Sequence, residues 1–199
     1  MCGRFLVEID DEELSGIVEE AEKNAREQQF SFAFKGGEIS PGTVAPIITA
    51  NGVLYMTWGF PAVTPNSPPH INARSETAAT SRTFGEAMKT QRCIIPASGY
   101  YEWKTHDKKH RTKYEFTLSD KSLMYMAGIY SVDGRFAILT RAAAPTILEI
   151  HDRMPVILPK SRIEKWLKES PDMNEALTKL QFAQVYSSDK QLKQLSLFN

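Results

Sequence analysis

The chain is poor in cysteine. Cys2 and Cys93 are the only two among 199 residues, which excludes a disulfide framework and points to a reducing compartment. They show no metal-type spacing, so no metal and no cofactor are expected. Net charge is absent too, since Lys+Arg and Asp+Glu both number 24. Any nucleic-acid surface must then be a local patch and not a property of the whole chain. No apolar run is long enough for a signal peptide or a membrane span, so the chain reads as cytoplasmic, with no membrane contact. No internal repeat is visible. What is present is an ordinary globular balance, at a length that suits one domain with a sizeable core.

A short strand is predicted over Arg4 to Glu8. Asp10 or Asp11 then caps a helix to about residue 28, because Leu14, Ile17, Val18 and Ala21 share one face. Thr43 to Ile48 and Val53 to Trp58 read as strands joined by an Asn51-Gly52 turn. A surface loop over Pro61 to Pro69 follows, then a helix over Thr83 to Lys89. Extended segments are predicted at Arg92 to Ala97, Gly99 to Trp103, Tyr114 to Leu118, Met124 to Tyr130 and Phe136 to Thr140, with a basic loop over Lys104 to Lys113. Helices are expected at Pro145 to Ile150, from a Ser161 cap to Lys168, and at Asn174 to Leu180. A last strand at Gln184 to Tyr186 precedes a polar tail. Strands fill the middle and helices the ends. The class is therefore α+β: one compact domain over residues 1–186, with a mostly antiparallel, barrel-like sheet flanked by helices, and a tail over 187–199.

Cysteine directly after the initiator methionine is an unusual placement. Removal of Met1 would leave an amine and a thiol on adjacent carbons, a pair no internal residue has. The amine attacks an aldehyde to give a Schiff base, and the thiol closes on the same carbon to give a thiazolidine. The plain alternative is a small buried Cys2, and Cys93, in an apolar strand, is read as core. Asn72, Glu102 and His151 are the other chemistry-capable positions. Asn72 suits a turn cap. Glu102 lies between Tyr101 and Trp103 and in a strand points away from both, either into solvent or into a pocket with a raised pKa. His151 suits an exposed polar run.

Four segments carry these residues in order: Met1-Cys2-Gly3-Arg4-Phe5, Asn72-Ala73-Arg74-Ser75-Glu76-Thr77, Arg92 to Trp103, and His151-Asp152-Arg153-Met154-Pro155-Val156-Ile157-Leu158. With their flanks they resemble the SRAP (SOS response-associated peptidase) family to about residue 186. The resemblance implies a compact β-rich fold of that type. It also implies a DNA-damage protein that binds single-stranded DNA and links covalently to abasic sites through the processed N-terminal cysteine. Carried over, Cys2 is the nucleophile and Glu102 shuttles protons. His151 acts on the ring oxygen or on Schiff-base hydrolysis, and Asn72 holds the N-terminus or the sugar. Arg4 and Arg74 are the natural phosphate contacts, with Arg82 and Arg153 as further candidates. Trp58 and Phe60 are expected to stack on, or wedge beside, bases next to the lesion. The chain departs from the family at Ala62-Val63, where a second tryptophan is expected after Trp58-Gly59-Phe60-Pro61, and at Ala144, where many relatives have asparagine.

Two other readings stay open. Cys2, His151 and Glu102 suit the nucleophile, base and orienting group of a cysteine peptidase, including one that removes its own Met1. A non-catalytic single-strand binder needs Arg4, Arg74 and Trp58 but no thiol. The tail Gln194-Leu195-Ser196-Leu197-Phe198 resembles the bacterial sliding-clamp binding pentapeptide. Gln194 would anchor by hydrogen bonds, with Leu195, Leu197 and Phe198 apolar, unless these dock back on the domain. The chain is expected to be a monomer.

Overall fold

The computed structural model describes residues 2–29, 34–64, 66–107 and 110–169, with the backbone of 180–187 and 192–193. The tail pentapeptide lies outside the described residues, as does the helix expected from Asn174, except that Leu180 already belongs to a strand. No helix among the described residues is long and apolar enough to cross a membrane.

Two sheets form the body. The first contains β1 (Arg4–Val7), β2 (Gly37–Ile39), β7 (Gly99–Thr105), β8 (Arg111–Leu118), β13 (Leu180–Ser187) and β14 (Leu192–Lys193), in the order β14-β13-β8-β7-β1-β2. The second contains β3 (Val44–Thr49), β4 (Gly52–Trp58), β5 (Asn72–Arg74), β6 (Arg92–Ala97), β9 (Met124–Tyr130), β10 (Arg135–Ala142), β11 (Arg153–Pro155) and β12 (Ile157–Leu158). Its path β10-β4-β3-β6-β9 closes on itself because β10 also pairs with β9. Pairing is antiparallel throughout, apart from β10 with β4 and with β5. The expected α+β class with a barrel-like sheet is the one observed.

Between β6 and β7 the chain passes from the second sheet to the first through a single residue, Ser98. β6 ends at Ala97, β7 begins at Gly99, and the Ser98 N–H donates to the Leu6 carbonyl at 2.8 Å. Gly99 permits the corner, since a Cβ there would come within 2.7 Å of the Phe116 carbonyl oxygen. Every residue of β6 is buried, so Cys93 is core as expected.

Helix α1 (Glu12–Glu27) starts where Asp11 accepts from the Leu14 N–H at 2.9 Å. It buries Leu14, Val18, Ala21 and Ala25, and Asn24 donates to the Val53 carbonyl at 2.9 Å, which ties it to β4. The short helices α2 (Ser75–Ala78), α3 (Gly85–Thr90), α4 (Pro145–Leu148) and α5 (Ile163–Lys168) punctuate the rim. Arg92 fastens two of them. Its buried guanidinium donates to Met88 and Lys89 carbonyls at the end of α3, and to Trp166 and Glu169 carbonyls at the end of α5. Terminal helix carbonyls lack intrahelical partners and carry partial negative charge, so one cation satisfies both ends.

Several boundaries differ from expectation. Strand β8 begins at Arg111, inside the stretch read as a basic loop, because its ladder with β7 continues down to Thr105 opposite Arg111. Ser161 does not cap α5. It sits within a 3₁₀ turn, Lys160–Arg162, that leads into the helix without a side-chain cap. Strand β13 starts at Leu180, four residues before the expected Gln184.

Gly128 in β9 sits where β6 and β10 flank the strand, opposite Cys93 and Ile138. A Cβ there would collide with Ile95 Cδ1 and approach the Ala137 carbonyl oxygen to 2.9 Å. Gly128→Ala is expected to destabilise the domain by about 1–3 kcal/mol, read as a lower urea midpoint at unchanged slope. An unshifted midpoint would show that the ring relaxes at no cost.

Candidate active site

The site forms where β1 enters the first sheet. Arg4 and Phe5 pair with Tyr101 and Tyr100 of β7. Phe5 packs on Trp58 with ring centroids 5.1 Å apart, and Trp58 stacks on Phe136 at 6.2 Å. The aromatic column fixes the strand, and the strand fixes the residue before it. Cys2 is fully buried, with its thiol 3.6 Å from the Arg4 carbonyl it donates to. Its own carbonyl accepts a 2.7 Å hydrogen bond from Asn72 Nδ2. Asn72 opens β5, whose parallel pairing with β10 places it opposite Ile138.

Strand alternation sends Glu102 to the face opposite Tyr101 and Trp103. It does not face solvent: Glu102 is buried, at 2 % exposed. Burial raises its carboxyl pKa, and the nearby charge of His151 and a Trp103 backbone hydrogen bond oppose the rise. The Cys2 thiol is pushed well up, first by burial and then by the Glu102 charge. Cys2, Asn72, Glu102 and His151, which lie far apart in sequence, thus belong to one constellation.

His151 follows α4, and its N–H donates to the Ile147 carbonyl at 3.1 Å. The Arg153 backbone N–H points at His151 Nδ1 over 3.0 Å, and the Asp152 carboxylate is also 3.0 Å from Nδ1. One ring nitrogen cannot serve both in the same protonation state. The amide is held by the strand whereas Asp152 is 76 % exposed and can rotate, so Nδ1 is the acceptor in the neutral ring. Nε2 then carries the proton.

The residues expected to contact DNA divide into two groups. Arg4, Arg74 and Arg82 are exposed. Arg4 is ion-paired with Glu38 at 2.9 Å, and Arg74 is two residues past Asn72 on β5. Three expectations are corrected. Trp58 is 1 % exposed and donates Nε1–H to the Ile71 carbonyl at 2.8 Å, so its ring belongs to the core and offers no face to a base. Phe60 is 7 % exposed and packs edge-on against Phe84. Arg153 is buried and grips Glu76 through two parallel bonds of 2.7 and 2.8 Å, while its Nη2 also reaches the Thr140 carbonyl at 2.7 Å. A guanidinium engaged in this way is a brace between α2, β10 and β11, not a phosphate contact.

Sequence reading missed Glu76 and Thr140 as the partners of Arg153. Glu76 stands inside the Asn72 to Thr77 segment, but nothing local announces a partner 77 positions away. Tyr100 was also passed over, although strand alternation puts it on the same face as Glu102. Among the described residues, no group of three His, Cys, Asp or Glu side chains could hold a metal ion.

The Arg153 pair holds the Glu76 carboxyl down at about 2, chiefly through its hydrogen bonds. A lowered folded-state pKa contributes stability above the unfolded value of 4.5, and that contribution fades as pH falls toward 2. Glu76→Gln is therefore expected to lower Tm at pH 7, with the gap to the parent closing between pH 5 and about 2. A Tm gap independent of pH would assign the loss to packing instead.

Comparison with known proteins follows the same lines. A family model described as SOS response associated peptidase (SRAP) matches residues 1–196. The chain is 30 % identical over 188 residues to the abasic site processing protein YedK of Escherichia coli, covering 88 % of this chain and 83 % of that protein. It is 36 % identical over 118 residues to the abasic site processing protein YobE of Bacillus subtilis, covering 54 % of each. The match thus spans about half the length of the Bacillus relative. A phage-related protein from Bordetella bronchiseptica shares the fold, with a TM-score of 0.68 at 22 % identity over 96 % of this chain and 95 % of that one.

Proposed function

The chain belongs to the SRAP family, and we propose that it captures abasic sites in single-stranded DNA as a covalent thiazolidine on Cys2 once Met1 has been removed. One observation carries the reading: a buried Cys2, its carbonyl gripped by Asn72, lies within electrostatic reach of a buried carboxyl, Glu102, of raised pKa. The relatives' names, abasic site processing protein, support the substrate.

The ring-opened abasic sugar presents an aldehyde. The Cys2 amine adds to its carbon, and one amine proton moves to oxygen to give a carbinolamine. Glu102, whose protonated form burial favours, donates to that hydroxyl, which leaves as water while the C–N bond becomes a protonated Schiff base. The Glu102 carboxylate then takes the thiol proton as sulfur bonds to the same carbon. The net change is aldehyde plus amine plus thiol to thiazolidine plus water, with Glu102 restored. The high thiol pKa makes this base necessary, and it weighs against a peptidase in which the thiolate attacks unaided. His151, with its proton on Nε2, donates to the sugar ring oxygen as the ring opens. Arg4, Arg74 and Arg82 supply exposed positive charge for the phosphates flanking the lesion.

The test is incubation of processed protein with a single-stranded oligonucleotide carrying one abasic site, followed by intact mass spectrometry. A heat-stable adduct that loses one water is expected, absent in Cys2→Ser and formed about 100-fold more slowly by Glu102→Gln. The parent rate should fall as pH rises through the raised Glu102 pKa, because the protonated form is the acid, and the Glu102→Gln rate should lack that limb. An adduct of undiminished yield in Cys2→Ser would reject the reading.

We also assign Gln194, Leu195, Leu197 and Phe198 to a bacterial sliding clamp, on the sequence match alone. Purified clamp should be recovered by the intact chain and lost on deleting residues 194–199. Equal recovery by both would reject the assignment.

A further inference from the structure

Strand β7 puts Tyr100 and Glu102 on the same face, two residues apart. The Tyr100 ring is fully buried. It stands opposite Phe5 and stacks on Phe116 with centroids 4.8 Å apart and planes at 12°. That wedge leaves the phenol no freedom of direction. Its hydroxyl has no hydrogen-bond partner among the described residues, and the groups within electrostatic reach are the Cys2 thiol and the Glu102 carboxyl. Asn72 repeats the pattern. Its Nδ2 holds the Cys2 carbonyl, while its buried Oδ1 is likewise without a partner.

Buried polar atoms are nearly always paired, and an unpaired one is costly. Phenylalanine would fill the Tyr100 site without that cost. Two such atoms beside one reactive residue, one a donor and the other an acceptor only, complement a small guest that both accepts and donates. The capture reaction generates that guest, because the aldehyde oxygen becomes a hydroxyl and then water.

We infer that the Tyr100 hydroxyl is a further catalytic group, which donates a hydrogen bond to the oxygen departing from the sugar's aldehyde carbon, with Asn72 Oδ1 accepting from the same oxygen. The inference rests on the aldehyde-capture reading above. Glu102 delivers the proton, Tyr100 stabilises the oxygen as its bond to carbon breaks, and the phenol keeps its own proton throughout. Burial holds the phenol neutral and so a donor across the physiological range. The water released is left next to the Schiff-base carbon, so the same contacts place a water for the reverse hydrolysis.

Tyr100→Phe is the test, in processed protein against the single abasic oligonucleotide. Adduct formation should slow about tenfold, the order expected for one hydrogen bond made as the reaction proceeds. Tm should hold or rise, since an unpaired buried hydroxyl has been removed. Non-covalent affinity for the oligonucleotide, measured with Cys2→Ser and Cys2→Ser/Tyr100→Phe, should be unchanged. An adduct rate equal to the parent's overturns the inference and leaves the capture reading standing. A slower rate accompanied by matching losses of Tm or affinity also overturns it, because Tyr100 would then be structural. Absence of adduct from the parent itself overturns the capture reading, and the inference with it.

Discussion

The hydrogen bond from Asn72 to the Cys2 carbonyl is the contact on which the site depends. The first residues of a chain are ordinarily its least fixed part. A nucleophile placed there gains an amine that no internal residue has, and it gives up position. The fold resolves the conflict from two sides. Strand β1 runs inside the first sheet between β2 and β7, so the backbone is held up to Arg4. Asn72, delivered from the second sheet by β5, then holds the residue beyond the ladder. Cys2 is thus pinned from both sheets, its carbonyl held by Asn72 and its thiol donating to the Arg4 carbonyl.

The second constraint is electrostatic. Burial disfavours the charged forms of both Glu102 and Cys2, and the Glu102 charge further disfavours ionisation of the Cys2 thiol. Both groups are therefore biased toward their protonated forms, the state from which the proposed capture would begin. When its imidazole is protonated, His151 opposes the rise in the Glu102 pKa. The stability given up by burying a carboxyl is thus tied to a task that an exposed glutamate would do poorly.

Much of this was legible in the sequence, and the reasons are local. The Asn51-Gly52 turn, the apolar face of α1 and the alternation around Glu102 each follow from residue type and spacing over a few positions. Strands β2 and β5 escaped, because three residues are too few to show a period. Trp58 and Phe60 were misread because an aromatic stripe looks the same whether it meets a base or a core. Only the packing of Phe5 and Phe136 on Trp58 separates the two. Arg153 was misread for the mirror reason: a cation in a polar run resembles a phosphate contact until its carboxylate, 77 residues earlier, is brought against it.

That last pair bears on the site more than its own ion count suggests. Arg153 donates to Glu76 just past β5 and to the Thr140 carbonyl on β10, while its backbone N–H sets the His151 tautomer. Asn72 heads β5 and His151 lies two residues before β11, so one guanidinium braces the strands next to two of the four proposed site residues. A bidentate pair holds distance and orientation together, which a lysine at this position could not do. The segment from His151 to Pro155 then combines the imidazole proposed to carry a proton with the brace that positions it. The proximity of these residues in sequence reflects a mechanical need rather than a shared contact with substrate.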